Sequence, residues 1–337
     1  MARGIAAPLE TGRMNREKQL IAQRLFLCFL VVTSCEEKKA PPPLEESAAP
    51  KPSDALAPQT PSAPPSAPVV MPKPRCPPDM VKVDAIEAGL APLAPYCVDR
   101  YEAMLVDADT GERISPYYAP SRRFASYSAR QWESQRFEMG GPKAQAMALP
   151  PLPAWELQKD FVPRALVKKG VTPNGHTSGE QALVACERAG KRLCSEMEWR
   201  TASGGEQVWK FPYGTEYVQG KCNVFREGHP AAVLHDNPAI GHNDPRLNKV
   251  TVNGKPLLRN TGDTPECASR WGDDAIYDMV GNLDEWQDDP EGTFAGGFYS
   301  RSSKIGCEWR ARGHTFDYAD YSTGVRCCQS LPTQPSD

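Results

Sequence analysis

Apolar and polar positions alternate from Pro78 to Val83 (Pro-Asp-Met-Val-Lys-Val), and that period of two predicts a short strand. The run Tyr96 to Ala103 (Tyr-Cys-Val-Asp-Arg-Tyr-Glu-Ala) reads as a second. From Asp109 to Pro173 no period holds, and Trp132, Trp155 and Phe161 are expected to anchor irregular loops. Helical spacing then takes over. Thr177-Ser178-Gly179-Glu180 fits a capping box, Ala182, Leu183 and Cys186 recur on one face, and Gly190 is a natural stop. A second box at Ser195-Glu196-Met197-Glu198 leads into Trp199 and Ala202 and ends at Gly204-Gly205. Met197 and Trp199 are expected in the core, with Lys191 and Arg192 as a solvated or loop-pinning pair. No internal repeat is present.

The N-terminal segment is different in kind. Leu25 to Val32 is an apolar run preceded by Arg16, Lys18 and Arg24. It is shorter than the ~20 residues a spanning helix needs, and it has the layout of a secretory signal. Val32-Thr33-Ser34-Cys35 resembles a bacterial lipobox, which implies cleavage before Cys35 and lipidation of its thiol. The plainer alternative is a signal peptide with an incidental cysteine. Residues 36–75, rich in Pro, Ala, Ser and charge, read as a disordered linker that buries too little apolar surface to offset its ordering entropy. The expected organisation is 1–35 lipoprotein signal and lipobox, 36–75 linker, and 76–329 folded domain.

Composition narrows the function classes. A chain of 337 residues with formal net charge -3 has no basic excess for nucleic acid, so a nucleic-acid partner is not expected. Eleven cysteines suit an oxidising compartment. Cys76 and Cys97 flank the first strand pair and are placed to staple it. With Cys28 in the signal and Cys35 lipidated, an odd number of cysteines remains, which leaves one thiol free or paired to another chain.

The candidate chemistry centres on Tyr277 to Trp286 (Tyr-Asp-Met-Val-Gly-Asn-Leu-Asp-Glu-Trp). A Gly-Asn step inside an apolar run signals a tight bend. Asp278 and Glu285 offer carboxylate oxygens and the bent backbone offers carbonyls, the mixed donor set of a hard cation. The bland reading is an acidic turn before a buried Trp.

Seven short motifs then occur in one order. They are Gly190-Lys191-Arg192-Leu193, Glu196-Met197-Glu198-Trp199, Phe211-Pro212-Tyr213-Gly214, Cys222-Asn223, Tyr277 through Trp286, Gly296-Gly297 and Gly324-Val325-Arg326-Cys327. Together they resemble the formylglycine-generating enzyme, or sulfatase-modifying factor, family. The resemblance covers Cys76 to Cys328 and is dense from Gly179 onward. It implies an α+β, C-type-lectin-like sulfatase-modifying-factor fold with much irregular chain, stapled by disulfides. It implies calcium held by Asp278, the carbonyls of Gly281 and Leu283, and Glu285, with a second site starting at Asn223 and the Val224 carbonyl and drawing on Asp236 or Asn237. It implies a Cys186–Cys327 disulfide.

The family's reaction is copper-assisted oxygen activation by two cysteines. Thiolates suit Cu(I). Here the catalytic segment departs from the pattern: Phe298 follows Gly296-Gly297 where the family has Ser, Arg301 stands at the first cysteine position, and the second falls on Gly306. Cys307 lies one residue late and is the single candidate catalytic thiol. The five histidines lack close metal-ligand spacing and are expected in solvent or loops. Asp317 to Tyr321 reads either as a recognition surface or as a packed Tyr-rich strand.

Two functions follow. One is a membrane-tethered, extracytoplasmic and catalytically silent module, either structural or binding a protein or glycan ligand on its surface. The other is a copper-dependent oxidase converting a cysteine of exported sulfatases to formylglycine.

Overall fold

The computed structural model describes residues 75–90, 92–302 and 304–331. The expected signal, the lipidation at Cys35 and the linker lie outside the described residues, apart from Arg75 at the linker's end. In chain order the elements are β1 (Met80–Val83), β2 (Tyr96–Asp99), β3 (Ala103–Asp107), α1 (Arg122–Gln135), α2 (Pro142–Gln145), α3 (Ala154–Gln158), β4 (Pro163–Val167), α4 (Gly179–Arg188), β5 (Arg192–Leu193), α5 (Glu196–Gly204) and α6 (Pro230–His235). The second half holds short strands only: β6 (Thr251–Val252), β7 (Lys255–Pro256), β8 (Ala268–Trp271), β9 (Asp274–Tyr277), β10 (Asp284–Trp286), β11 (Phe294–Ala295), β12 (Arg310–Ala311), β13 (Thr323–Gly324) and β14 (Cys327–Ser330). The fold is α+β with long irregular connections.

One sheet runs β1-β2-β14-β5 and a second β12-β11-β10-β13, with β10 and β13 parallel. Three two-stranded antiparallel pairs, β3-β4, β6-β7 and β8-β9, complete the strands. The last strand sits between the second and the fifth, so the two ends of the domain close on each other. Disulfides reinforce that closure. Cys76 pairs with Cys97, Cys186 with Cys327, Cys194 with Cys328 and Cys222 with Cys267. The adjacent Cys327 and Cys328 face opposite sides of β14 and therefore reach α4 and the start of α5 separately. Cys307 is the free thiol among the described residues.

Several expectations shift. The first helix is capped by Ser178 with Gln181, one residue later than the Thr177–Glu180 reading, because Ser178 holds the extended backbone that a cap requires. The second box, Ser195 with Glu198, forms as expected. The run Tyr96 to Ala103 divides into β2 and β3. Trp132 lies on a helix: α1 buries Ala125, Ser128 and Trp132, a stripe whose small members give no apolar signal. Met197 is 57% exposed, since it points out from the first turn of α5, whereas Trp199 two residues on is fully buried. Lys191 pins the chain, reaching Asp99 at 2.5 Å and Asp79 at 3.0 Å. His176 and His235 are buried; His235 lies 2.9 Å from Asp244 and stacks on Trp132. Asp317 to Tyr321 forms no strand, and Tyr321 is buried in a turn.

Glu156 on α3 is fully buried, with Ser115 N donating to Oε1 at 2.8 Å and Oε2 unpartnered. Burial raises its carboxyl to about 7, so the folded state holds a proton that the unfolded state releases near 4.5. The group's contribution is therefore complete below that lower value and is lost as pH rises through the higher one. Urea unfolding should show the native protein losing about 2 to 3 kcal/mol more than Glu156→Gln between pH 5 and 8.

Candidate functional site

Two predicted ligand sets meet at one bend. Asp278 (φ 61°), Gly281 (φ 88°) and Asn282 (φ 63°) all take left-handed backbone. At Gly281 a Cβ would lie 2.3 Å from the Asn223 carbonyl, so only glycine fits. Asn282 N donates to that same carbonyl at 2.8 Å, and Asn223 Nδ2 donates to Asn282 Oδ1 at 2.9 Å and to Leu257 O at 2.8 Å. Val224 is buried beside Asn223 in the cluster around Phe211. Asp236 caps α6 with left-handed backbone.

Glu102, which the sequence analysis does not single out, completes the bend. Its carboxylate accepts from Leu283 N at 2.9 Å and from Asn282 Nδ2 at 2.5 Å. A charged residue between Tyr101 and Ala103 in a strand-like run was the available signal.

The cation facing these acids is Arg326. Its Nε donates to both Glu285 oxygens at 2.8 and 2.9 Å, Nη1 donates to Asp99 O at 2.7 Å, and Nη2 to Tyr277 O at 2.8 Å. Trp199 Nε1 also donates to Glu285 Oε2 at 2.6 Å. Three buried carboxylates, Glu102, Asp278 and Glu285, thus share one guanidinium. Burial, together with the neighbouring charges of Asp278 and Glu285, raises the Glu102 carboxyl well above its ordinary range. Burial likewise pushes Asp278 up to about 6.

This donor set does not fit a calcium ion as it stands. Calcium takes about six to eight oxygens, yet Glu285 commits both of its oxygens to Arg326 and Trp199, and Asp278 Oδ2 accepts from Gly262 N at 2.7 Å. Thermal unfolding in millimolar calcium and in EDTA should coincide. A calcium-dependent rise in Tm would restore the metal site and displace this assignment.

The segment after Gly296-Gly297 is the second half of the candidate site. Arg301 stacks between Phe298 and Trp309, its guanidinium carbon 4.8 and 4.4 Å from the ring centroids. It donates to Asp284 Oδ2 at 3.0 Å. Asp284 is fully buried, and burial lifts its carboxyl to about 7 even beside that cation. Gly306 has φ 64°, and a Cβ there would stand 2.0 Å from the Lys210 carbonyl. No cysteine fits at that position.

Cys307 packs instead with Phe211, Val280 and the Cys222–Cys267 pair. Its sulfur lies 2.7 Å from Ser203 Oγ, and burial pushes the thiol up to about 12. A protonated, solitary thiol does not fit Cu(I), which thiolates hold.

Comparison with known proteins agrees with this frame. No family model matches the chain. It is 32% identical over 108 residues to a formylglycine-generating enzyme of Thermomonospora curvata, covering 30% of this chain and 35% of that protein. It is 25% identical over 178 residues to the inactive Cα-formylglycine-generating enzyme 2 of Bos taurus, covering 49% of this chain and 52% of that protein. The chain thus spans about half the length, or less, of these curated relatives. Among solved structures, PvdO from Pseudomonas aeruginosa aligns over 70% of this chain and 81% of its own at 15% identity and TM-score 0.31, a likeness too slight to carry an argument. The chain carries a domain of the formylglycine-generating-enzyme type.

Proposed function

We propose that this protein is a catalytically silent binding module on the formylglycine-generating-enzyme scaffold, tethered to a membrane outside the cytoplasm by lipidated Cys35. The observation that carries the reading is Arg301. A guanidinium held by Asp284, Phe298 and Trp309 fills the place of the first redox thiol. Gly306 supports it, because the backbone there leaves no room for the second. One curated relative is itself named as inactive. Four disulfides fit an oxidising, extracytoplasmic setting. Among the described residues no helix is long and apolar enough to cross a membrane, so attachment would fall to the N-terminal segment. A lipid there would anchor without spanning.

The competing reading, a copper-dependent oxidase acting on a substrate cysteine, rests on Cys307 as the free thiol. Anaerobic Cu(I) titration separates the two. The module reading expects no stoichiometric tight copper and no oxygen uptake with a thiol peptide. Stoichiometric copper lost in Cys307→Ser, with peptide-dependent uptake, would sink it. The tether is tested separately: Cys35→Ser should release the protein from the membrane fraction.

A further inference from the structure

The helix α1 is built inside out. Its packed face is Ala125, Ser128 and Trp132, two of them small. Its other bulky side chains point to solvent: Phe124 and Tyr127 are more than half exposed, and so is Phe137 in the turn that follows. Of the four aromatic side chains that lie exposed among the described residues, three are here. Folding gains nothing from a large ring left in water, and a gathered set of them marks a contact surface.

Arginines complete the face. Arg123, Tyr127, Arg130, Ser134 and Phe137 follow one another at steps of four and three, which sets them in one line along the helix, and all five are exposed. That line lies opposite the packed face. The turn that carries its last member is held by Phe137 N donating to Ser134 O at 3.2 Å. Arg136 lies 4.2 Å from the Phe137 centroid, and Arg123 5.9 Å from that of Phe124. Asp160 holds Arg122 at 2.8 Å, whereas neither Arg123 nor Arg130 has an ion-pair partner among the described residues. Residues 122–143 carry five basic side chains against two acidic ones, Glu133 and Glu138, in a chain of net charge -3. Positive charge is therefore gathered on this side, even with Arg122 neutralised.

We propose that this face of α1 docks on an anionic phospholipid surface. The proposal rests on the tethered reading for its setting: about 40 residues separate Cys35 from Arg75, so a lipid on Cys35 keeps the domain near the bilayer and lets a weak contact count. Phe124, Tyr127 and Phe137 would sit at headgroup level, where aromatic rings gather. Arg123 and Arg130 would pair with lipid phosphates. A convex row suits a fluid surface that moulds to it better than a rigid partner that must match its shape. Glu133 and Glu138 flank the line, so the contact is salt-sensitive and too weak to hold an untethered chain at physiological salt.

The test is hydroxyl-radical footprinting, read by mass spectrometry, of the full-length Cys35→Ser chain at low salt with vesicles in excess, which needs no tether. Phosphatidylcholine vesicles are compared with vesicles holding about 30% phosphatidylglycerol. Labelling of Phe124, Tyr127 and Phe137 should fall about three-fold or more on the anionic vesicles alone and recover at high salt. Phe225, exposed elsewhere on the chain, should label equally throughout. Arg123→Gln/Arg130→Gln should raise the lipid concentration for half-protection about ten-fold or more, with Tm unchanged.

Equal labelling on both kinds of vesicle would overturn the proposal. So would protection that survives Arg123→Gln/Arg130→Gln, or equal protection by soluble polyglutamate, which would make the partner an acidic chain. The tether is judged by the membrane-fraction result at physiological salt, so a failed tether and a failed face give different outcomes.

Discussion

One buried guanidinium sets the constraints on this domain. Arg326, between β13 and β14, reaches the end of β2 through Asp99 O, the end of β9 through Tyr277 O, and β10 through Glu285. Two sheets and a hairpin therefore share one side chain. Glu285 passes the connection on to α5 by accepting from Trp199. A buried ion pair is not automatically worth more than well-packed apolar side chains. It does make the arrangement exclusive, because any shift of these strands leaves a charge or a carbonyl unsatisfied in the core. Burial raises the carboxyls of both Glu102 and Asp278, and the neighbouring acid charges add to the rise.

Much of this was legible in the chain where local chemistry is strong. The Ser195 box, the Cys76–Cys97 staple and the bend at Gly281-Asn282 are local signals, and each appears in the structure. The part that was not legible depends on tertiary partners. The helix carrying Trp132 buries alanine and serine beside it, and small residues leave no period to read. Glu102 looks like an ordinary strand acid until the bend folds over it. Glu285 has the chemistry of a calcium ligand in sequence, yet a guanidinium distant in the chain takes both of its oxygens.

The segment from Phe298 to Cys307 follows the same logic of packing and charge pairing. Arg301 stacks between two rings and meets a buried Asp, and Gly306 lets the chain pass against Lys210. The surviving thiol is turned inward among apolar neighbours, where burial keeps it protonated.

The most direct test of this account is a double-mutant cycle between Arg326→Met and Glu285→Gln, read by urea unfolding at pH 7. The account predicts a coupling of about 2 kcal/mol or more between the two sites, since each single change strands a buried partner. Effects that add to within about 0.5 kcal/mol would contradict it, because the two side chains would then not be holding the strands through each other.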